Sequence, residues 1–333
     1  MLRTSLILMV LSIGINSVLS QESNRINGMS MVSINGTIDS SNVLPLKDIG
    51  ANWAASIPFA FMPSKNSPEL SYDLKWQWKG ERIEGTRNYI RELHRQGIAV
   101  MVKPQIWIGH GVYTGELKMK SEKDWLELEK NYTRYILAFV KLAVEEKVEM
   151  FCIGTEVKHF AKDRPMYWRE LISDIREQYS GKLTYAANWD DYQSVPFWAD
   201  LDYIGIDAYF PLVDIEKPSL DELIEGWGPH KADMDSLSSQ FDRPILFTEY
   251  GYRSIEGCAI KPWDYSDSSK QDEKEQELAL KSLFEVFWND KNYAGGFLWK
   301  WYPDHTNAGG ANNKMFTVQN KRSEGLVRKF YKK

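Results

Sequence analysis

Glu149-Met150-Phe151-Cys152-Ile153-Gly154-Thr155-Glu156 is a short apolar run that stops at a carboxylate, with Val157-Lys158-His159 behind it. An apolar stretch of this length, bounded by polar residues, suits a strand covered on both faces, as the strands of parallel sheets are. A second run has the same form: Arg243-Pro244-Ile245-Leu246-Phe247-Thr248-Glu249 also ends on a glutamate and passes into Tyr250-Gly251-Tyr252. The two glutamates are remote in the chain, so only the fold can bring them together.

Working outward from these runs, strand and helix alternate. Ile26 to Ile34, Ala51 to Phe61 and Ile98 to Trp107 read as strands, Asn42 to Ile49 and Gly85 to Gln96 as helices, the latter stopped by Gly97. Pro63 to Glu84 is a polar loop carrying Trp76 and Trp78. Ser121-Glu122-Lys123-Asp124 opens the longest helix with a capping-box-like pattern, and Tyr132, Ile136, Phe139, Val140 and Ala143 keep helical spacing. Beyond Glu156, Tyr167 to Tyr179 is a helix, Leu183 to Ala187 a strand ending at Asn188, and Tyr203 to Tyr209 a strand. Ser219-Leu220-Asp221-Glu222 caps a helix to about Ser239, the Glu249 strand follows, then a helix from Asp272 to Trp288 and a last strand from Gly295 to Trp301. Residues 314–333 form a closing segment. Eight strands alternating with helices imply right-handed βαβ units and a parallel sheet, at the size of a single (β/α)8 TIM barrel. The rival, a doubly wound sheet, wants a Gly-rich phosphate loop after its first strand; Gly109-His110-Gly111 lacks the third glycine at the dinucleotide spacing.

Composition narrows the partners. Against 41 Lys and Arg stand 46 Asp and Glu, a net charge of −5, which gives no electrostatic reason to expect nucleic acid or an anionic membrane. The 13 Trp and 17 Tyr offer flat platforms for ligands with apolar faces as well as core. Arg3, the apolar run Leu6 to Ile15 and Val18-Leu19-Ser20 before Gln21 read as a signal peptide over residues 1–20, too short for a comfortable membrane span. The expectation is a soluble exported protein, secreted or periplasmic, with no membrane association once the leader is removed, and one domain over residues 21–333. Cys152 lies within the buried strand, so no disulfide framework is expected of it and Cys258, and Cys152 reads as a free, buried thiol.

In a barrel of this kind the C-terminal strand ends converge on one pocket. Glu156 ends the fourth strand and Glu249 the seventh, so they face each other across the mouth. Two glutamates about 5 to 5.5 Å apart are the apparatus of retaining glycoside hydrolysis, and a gap of about 6.5 to 9.5 Å that of inversion. Strand phase extends the set: Met101, Lys103, Gln105 and Trp107 share a face, and Lys103 and Gln105 are too polar for the helix-covered side. Asp207 and Tyr209 share a phase, as do Phe297, Trp299 and Trp301; Asp207 alternatively satisfies a buried partner. Trp107, Trp189 and Trp263 are loop or core aromatics, with outer ligand subsites as the alternative. The five histidines form no His-Glu-x-x-His motif, and there is no Gly-x-Ser-x-Gly elbow, so neither metal, cofactor nor serine chemistry is expected.

The motifs Ile153-Gly154-Thr155-Glu156, Gly205-Ile206-Asp207-Ala208-Tyr209-Phe210-Pro211, Thr248-Glu249-Tyr250-Gly251 and Phe297-Leu298-Trp299-Lys300-Trp301 resemble those of glycoside hydrolase family 113, in clan A, whose characterised members are β-mannanases. The resemblance implies that Glu156 is the acid/base and Glu249 the nucleophile. It implies further that Tyr209 hydrogen-bonds the nucleophile and that Trp299 or Trp301 forms a sugar platform. Many clan A enzymes place Asn before the acid/base to contact the sugar 2-OH; here Thr155 stands there, and Asn188, Lys103 or Gln105 is the substitute. The expected activity is that of an exported endo-β-1,4-mannanase cleaving polysaccharide or oligosaccharide by double displacement. Another retaining β-glycanase, a xylanase or glucanase, and a noncatalytic carbohydrate-binding barrel are the alternatives.

Overall fold

A computed structural model describes residues 25–265 and 269–333; the leader expected at residues 1–20 lies outside them. Eight parallel strands close a barrel: β1 (Ile26–Met31), β2 (Trp53–Ser56), β3 (Ala99–Val102), β4 (Met150–Thr155), β5 (Lys182–Asn188), β6 (Ile204–Asp207), β7 (Ile245–Tyr250) and β8 (Tyr293–Trp301). Each pairs with its neighbours in chain order, and β8 returns to β1. The helices are α1 (Ser40–Ile49), α2 (Ile83–Arg95), α3 (Glu122–Glu145), α4 (Lys158–Asp163), α5 (Pro165–Arg176), α6 (Leu220–Phe241), α7 (Glu273–Phe287) and α8 (Arg322–Tyr331). Between β5 and β6 two short 3-10 turns, Tyr192–Ser194 and Trp198–Asp200, take the place of a helix. The architecture is a (β/α)8 TIM barrel.

The apolar runs form strands because both of their faces are covered. β4, β6 and β7 are buried at every position. Inside the barrel a small cluster that includes Met101, Met150, Cys152, Leu246 and Phe297 fills the interior, and a much larger one packs the outer strand faces against the helices. Both cysteines are buried and free. Polar caps set the helix starts: Ser121 accepts from the Asp124 N–H, and Ser219 and Glu222 form a reciprocal capping box on α6.

Two expected strands are shorter than their apolar runs. The stretch 51–61 leaves the barrel after Ser56, and the stretch 98–107 leaves it after Val102. The breaks fall before Pro58 and Pro104, residues that cannot donate to a ladder. Both chains then continue together as Phe59–Met62 and Gln105–Ile108, a parallel pair in a separate small sheet edged by Ser71–Tyr72. The expected polar loop 63–84 therefore contains that edge strand and a 3-10 turn, Lys79–Glu81.

A third difference concerns the end of β8. The pairing advances from Met29 to Met31 on β1 but from Leu298 to Trp301 on β8, a register shift of one residue. The Trp299–Lys300 peptide is cis. Phe297 and Trp299 belong with the barrel interior, whereas Trp301 is sealed in the outer core with His305 against its ring at 5.2 Å. Trp301, expected as a possible sugar platform in phase with Trp299, is shut off from any ligand.

Candidate active site

β4 delivers Glu156 directly after Thr155, and at Glu156 the backbone turns into the left-handed region, φ 51°. That conformation is uncommon for a residue with a Cβ and occurs at sites where the surroundings hold it. The Glu156 N–H donates to the Ala186 carbonyl of β5 at 2.8 Å. On the other side of the mouth β7 carries Glu249, 6% exposed. Gly251 follows, where a Cβ would come within 2.7 Å of the Trp299 carbonyl oxygen, so β7 and β8 approach closely just above it.

Glu249 is surrounded by donors. Lys103 Nζ at 2.5 Å and Gln105 Nε2 at 2.9 Å donate to its Oε1, and the Tyr209 hydroxyl donates to Oε2 at 2.8 Å. Lys103 also bridges to both oxygens of Asp207, at 3.0 and 3.2 Å, and Thr248 Oγ1 donates to Asp207 Oδ1 at 2.7 Å. Lys103 and Asp207 are closed to solvent. Both were expected as substrate-binding residues, Asp207 alternatively as the partner of a buried group; Lys103 holds Glu249, and Asp207 takes that alternative by pairing with Lys103. Lys103 shares the inward phase of Met101 and so reaches across the barrel, and the register sets Glu249 beside Asp207.

Electrostatics separates the two glutamates. Burial, then the charges of Asp207 and Glu249, push the Glu156 pKa well above the usual carboxylate range, against Lys103. Among the described residues no hydrogen bond reaches its carboxyl, so the charge of Lys103 alone opposes the shift. Burial opposes the charge of Lys103, but Asp207 and Glu249 outweigh that and hold its pKa raised. Burial and Glu249 push the Asp207 carboxyl up to about 7 against Lys103 and Thr248. One lysine thus serves two carboxylates, and the surplus negative charge faces Glu156.

The remaining expected residues fall differently. Gln105 and Tyr209 join Glu249 as described. Asn188, the last residue of β5, is half-buried, and its Nδ2 donates to Asp190 Oδ1 at 3.1 Å. Thr155 Oγ1 turns inward to the Pro104 carbonyl at 3.4 Å, leaving Asn188 and Gln105 as the amides open to the pocket. Trp299 packs half-buried on top of the barrel interior, with the Lys300 ammonium 5.3 Å from its ring centroid. Trp189 and Trp263 stack on each other, centroids 4.8 Å apart, so each covers a face of the other.

Two tyrosines at the site carried no signal in the strand pattern. Burial, then Glu156, raise the pKa of Tyr113; Tyr265 is pushed up to about 12 by burial, then by Glu249 and Glu156. Both lie on loops, where periodicity says nothing. The one available hint was Gly115: a Cβ there would sit 2.3 Å from the Tyr113 ring, so only glycine lets that ring lie down. Among the described residues no group of three or more His, Cys, Asp or Glu is arranged to hold a metal ion, and no helix is long and apolar enough to cross a membrane.

A model of Glycoside Hydrolase Family 113 matches residues 35–321. Among solved structures, a GH113 β-mannanase from Alicyclobacillus acidocaldarius in complex with ManMIm is 21% identical, with a TM-score of 0.81 over 92% of this chain and 97% of that one. A GH113 β-1,4-mannanase, also in a complex, is 23% identical, with a TM-score of 0.79 over 92% and 99% of the two chains. A β-glucuronidase from Faecalibacterium prausnitzii, 14% identical with a TM-score of 0.61, matches 92% of this chain but 49% of its own. At these identities the structural likeness is one of fold. A search of the curated proteins returned no match.

Proposed function

This chain belongs to glycoside hydrolase family 113, and from that premise we propose that it is an exported endo-β-1,4-mannanase acting with retention, Glu249 as nucleophile and Glu156 as acid/base. The observation that carries the reading is the asymmetry of the two glutamates. Glu249 accepts three hydrogen bonds, from Lys103, Gln105 and Tyr209, while Glu156 accepts none from the described residues and has its pKa driven upward. A carboxylate held by donors suits attack on an anomeric carbon, and a carboxylic acid kept protonated suits delivery of a proton to a leaving oxygen.

In the first step Glu156 gives its proton to the glycosidic oxygen as the bond from that oxygen to the anomeric carbon breaks, and a Glu249 oxygen forms a new bond to the same carbon. The leaving sugar departs as an alcohol. Glu156, now ionised, then takes a proton from water, whose oxygen displaces Glu249 and restores both groups. Trp299, on top of the barrel interior, supplies a flat apolar face for the sugar ring, and Asn188 and Gln105 supply amide contacts for its hydroxyls. Support for mannan as the substrate comes from the family and from its two β-mannanase members of like fold. The leader sequence supports export.

Assay of the purified chain on mannan, xylan and glucan tests the reading: turnover confined to xylan or glucan overturns the mannanase assignment, and binding without turnover on all three overturns the enzyme assignment of this barrel. Glu249→Gln and Glu156→Gln each remove catalysis by roughly a hundredfold to ten-thousandfold if the roles hold. Azide restoring turnover to an alanine variant at either position supports the covalent route.

A further inference from the structure

Past the barrel mouth, the strand Gln105–Ile108 sorts its residues by alternation: Ile106 and Ile108 are buried, Gln105 is half-buried and Trp107 is 53% exposed. The adjacent strand Phe59–Met62 does the same, with Ala60 and Met62 buried and Phe59 and Phe61 half-buried. The register sets Phe59 beside Gln105 and Phe61 beside Trp107. Partners across a parallel pair point to the same side, so these four side chains make two rows of one surface.

The first row begins at the nucleophile, because Gln105 Nε2 donates to Glu249 at 2.9 Å. That contact fixes which way the surface faces. The second row lies roughly 6.6 Å further along the strands. Trp76, 63% exposed, meets Phe61 edge-on with centroids 4.6 Å apart and widens this second row. No ring of the described residues packs on Trp107. A contiguous exposed apolar surface marks an interaction site, a ligand groove among them, and this one leads into the reaction centre through Gln105. Its flatness matches the apolar face of a sugar ring, whose hydroxyls point outward to solvent.

We propose that Phe61, Trp76 and Trp107 form an outer subsite for a sugar residue of the same glycan chain whose scissile bond lies at Glu249. The occupant is a glycan because the surface continues without interruption from Gln105, a group already in contact with the nucleophile. The breaks before Pro58 and Pro104 send both strands out of the barrel together and so tie this platform rigidly to the reaction centre. The inference rests on the glycanase reading of the catalytic pair.

The test uses the full chain carrying Glu249→Gln, with calorimetric titration of manno-, xylo- and gluco-configured disaccharides and hexasaccharides, before and after Trp107→Ala or Trp76→Ala. The expected result is a weakening of hexasaccharide affinity by about tenfold or more in Trp107→Ala, with a much smaller change for the disaccharide. Trp107→Phe retains most of the affinity. Thermal midpoints confirm that each variant is folded. Hexasaccharide affinity equal to that of the parent in both alanine variants overturns the subsite while leaving the glycanase reading standing. A parent that binds none of the hexasaccharides overturns the glycanase reading, and the subsite with it.

Discussion

Tyr209 and Glu156 show how single side chains divide the labour of the site. The Tyr209 hydroxyl is one of three donors to Glu249 and the one that reaches Oε2, so Tyr209→Phe removes a hydrogen bond to a charged acceptor without removing the ring that packs on Phe316. Such a bond contributes about 1.5 to 3 kcal/mol, so kcat is expected to fall roughly 10- to 150-fold, measured below the thermal midpoint, which itself drops. An unchanged kcat would take Tyr209 out of the mechanism. For Glu156 the raised pKa makes a statement about stability. A carboxyl whose folded pKa lies above its unfolded value, about 4.3, contributes stability that is complete below the unfolded value and is lost as pH rises through the folded one. Glutamine stays neutral throughout. Glu156→Gln should therefore match the parent near pH 4 and exceed it in thermal midpoint at pH 8; a gap independent of pH would contradict the assigned burial and charge. Gln105 and Tyr209 were legible because strand phase points them inward, and the two glutamates because they end their strands; phase alone would turn Glu249 outward with Phe247, and the register shift between Phe247 and Glu249 brings it into the mouth. Lys103 and Asp207 fall in the expected region, Asp207 as the partner of a buried ion that its alternative reading named, whereas no sequence pattern reveals that Lys103 will be spent between two buried carboxylates. Tyr113 and Tyr265 were invisible because loops have no period.

At the level of elements, caps and prolines did most to fix where strands and helices begin and end. Ser219 accepts from the Glu222 N–H, and Glu222 accepts from the Ser219 N–H at 2.7 Å, a reciprocal box far from the catalytic mouth in function. Ser219→Ala is expected to destabilise the protein by about 1 kcal/mol with unchanged kcat and KM, checked by urea unfolding and by steady-state kinetics. No loss of stability would mean that α6 is held by packing alone. All eight strands, their order and the helix starts at Ser121, Ser219 and Asp272 followed from apolar runs and cap residues. Alternation misleads where it runs through a break. The runs 51–61 and 98–107 look continuous because Phe59 to Phe61 and Gln105 to Trp107 are as strand-like as what precedes them. Only the missing N–H groups of Pro58 and Pro104 end the barrel ladder there. Trp301 was misplaced for the same reason: two-residue alternation from Phe297 holds as far as Trp299, and the register shift against Met31 then turns Trp301 outward.

For the molecule as a whole, a barrel is stable only if its last strand is held to its first, and here α8 reinforces that seam. The Tyr331 hydroxyl donates to the Gly28 carbonyl of β1 at 2.8 Å and lies 2.6 Å from the Tyr250 hydroxyl of β7. Asn27 Nδ2 donates to the Tyr331 carbonyl at 3.1 Å. The Tyr331 ring stacks on Trp288 at the end of α7, centroids 5.6 Å apart, and neighbouring Phe330 stacks on Phe284 at 4.7 Å. One residue therefore links β1, β7 and α7 on the two sides of the β8–β1 closure, all of it buried. Tyr331→Phe keeps the ring and strands the Gly28 carbonyl and the Tyr250 hydroxyl in an apolar setting, at a cost of about 1 to 3 kcal/mol. Tyr331→Ala adds the cavity of a lost aromatic ring, for a total of about 3 to 5 kcal/mol. The expected order in urea midpoint is parent, then Phe, then Ala. The Phe variant should keep kcat near the parental value below the transition, because the seam touches neither Glu156 nor Glu249. Equal midpoints for parent and Tyr331→Phe would show that the hydroxyl contributes nothing to the seam. A large loss of kcat in a fully folded Phe variant would show that barrel closure and the catalytic mouth are mechanically coupled, which the separation of these contacts from the site argues against.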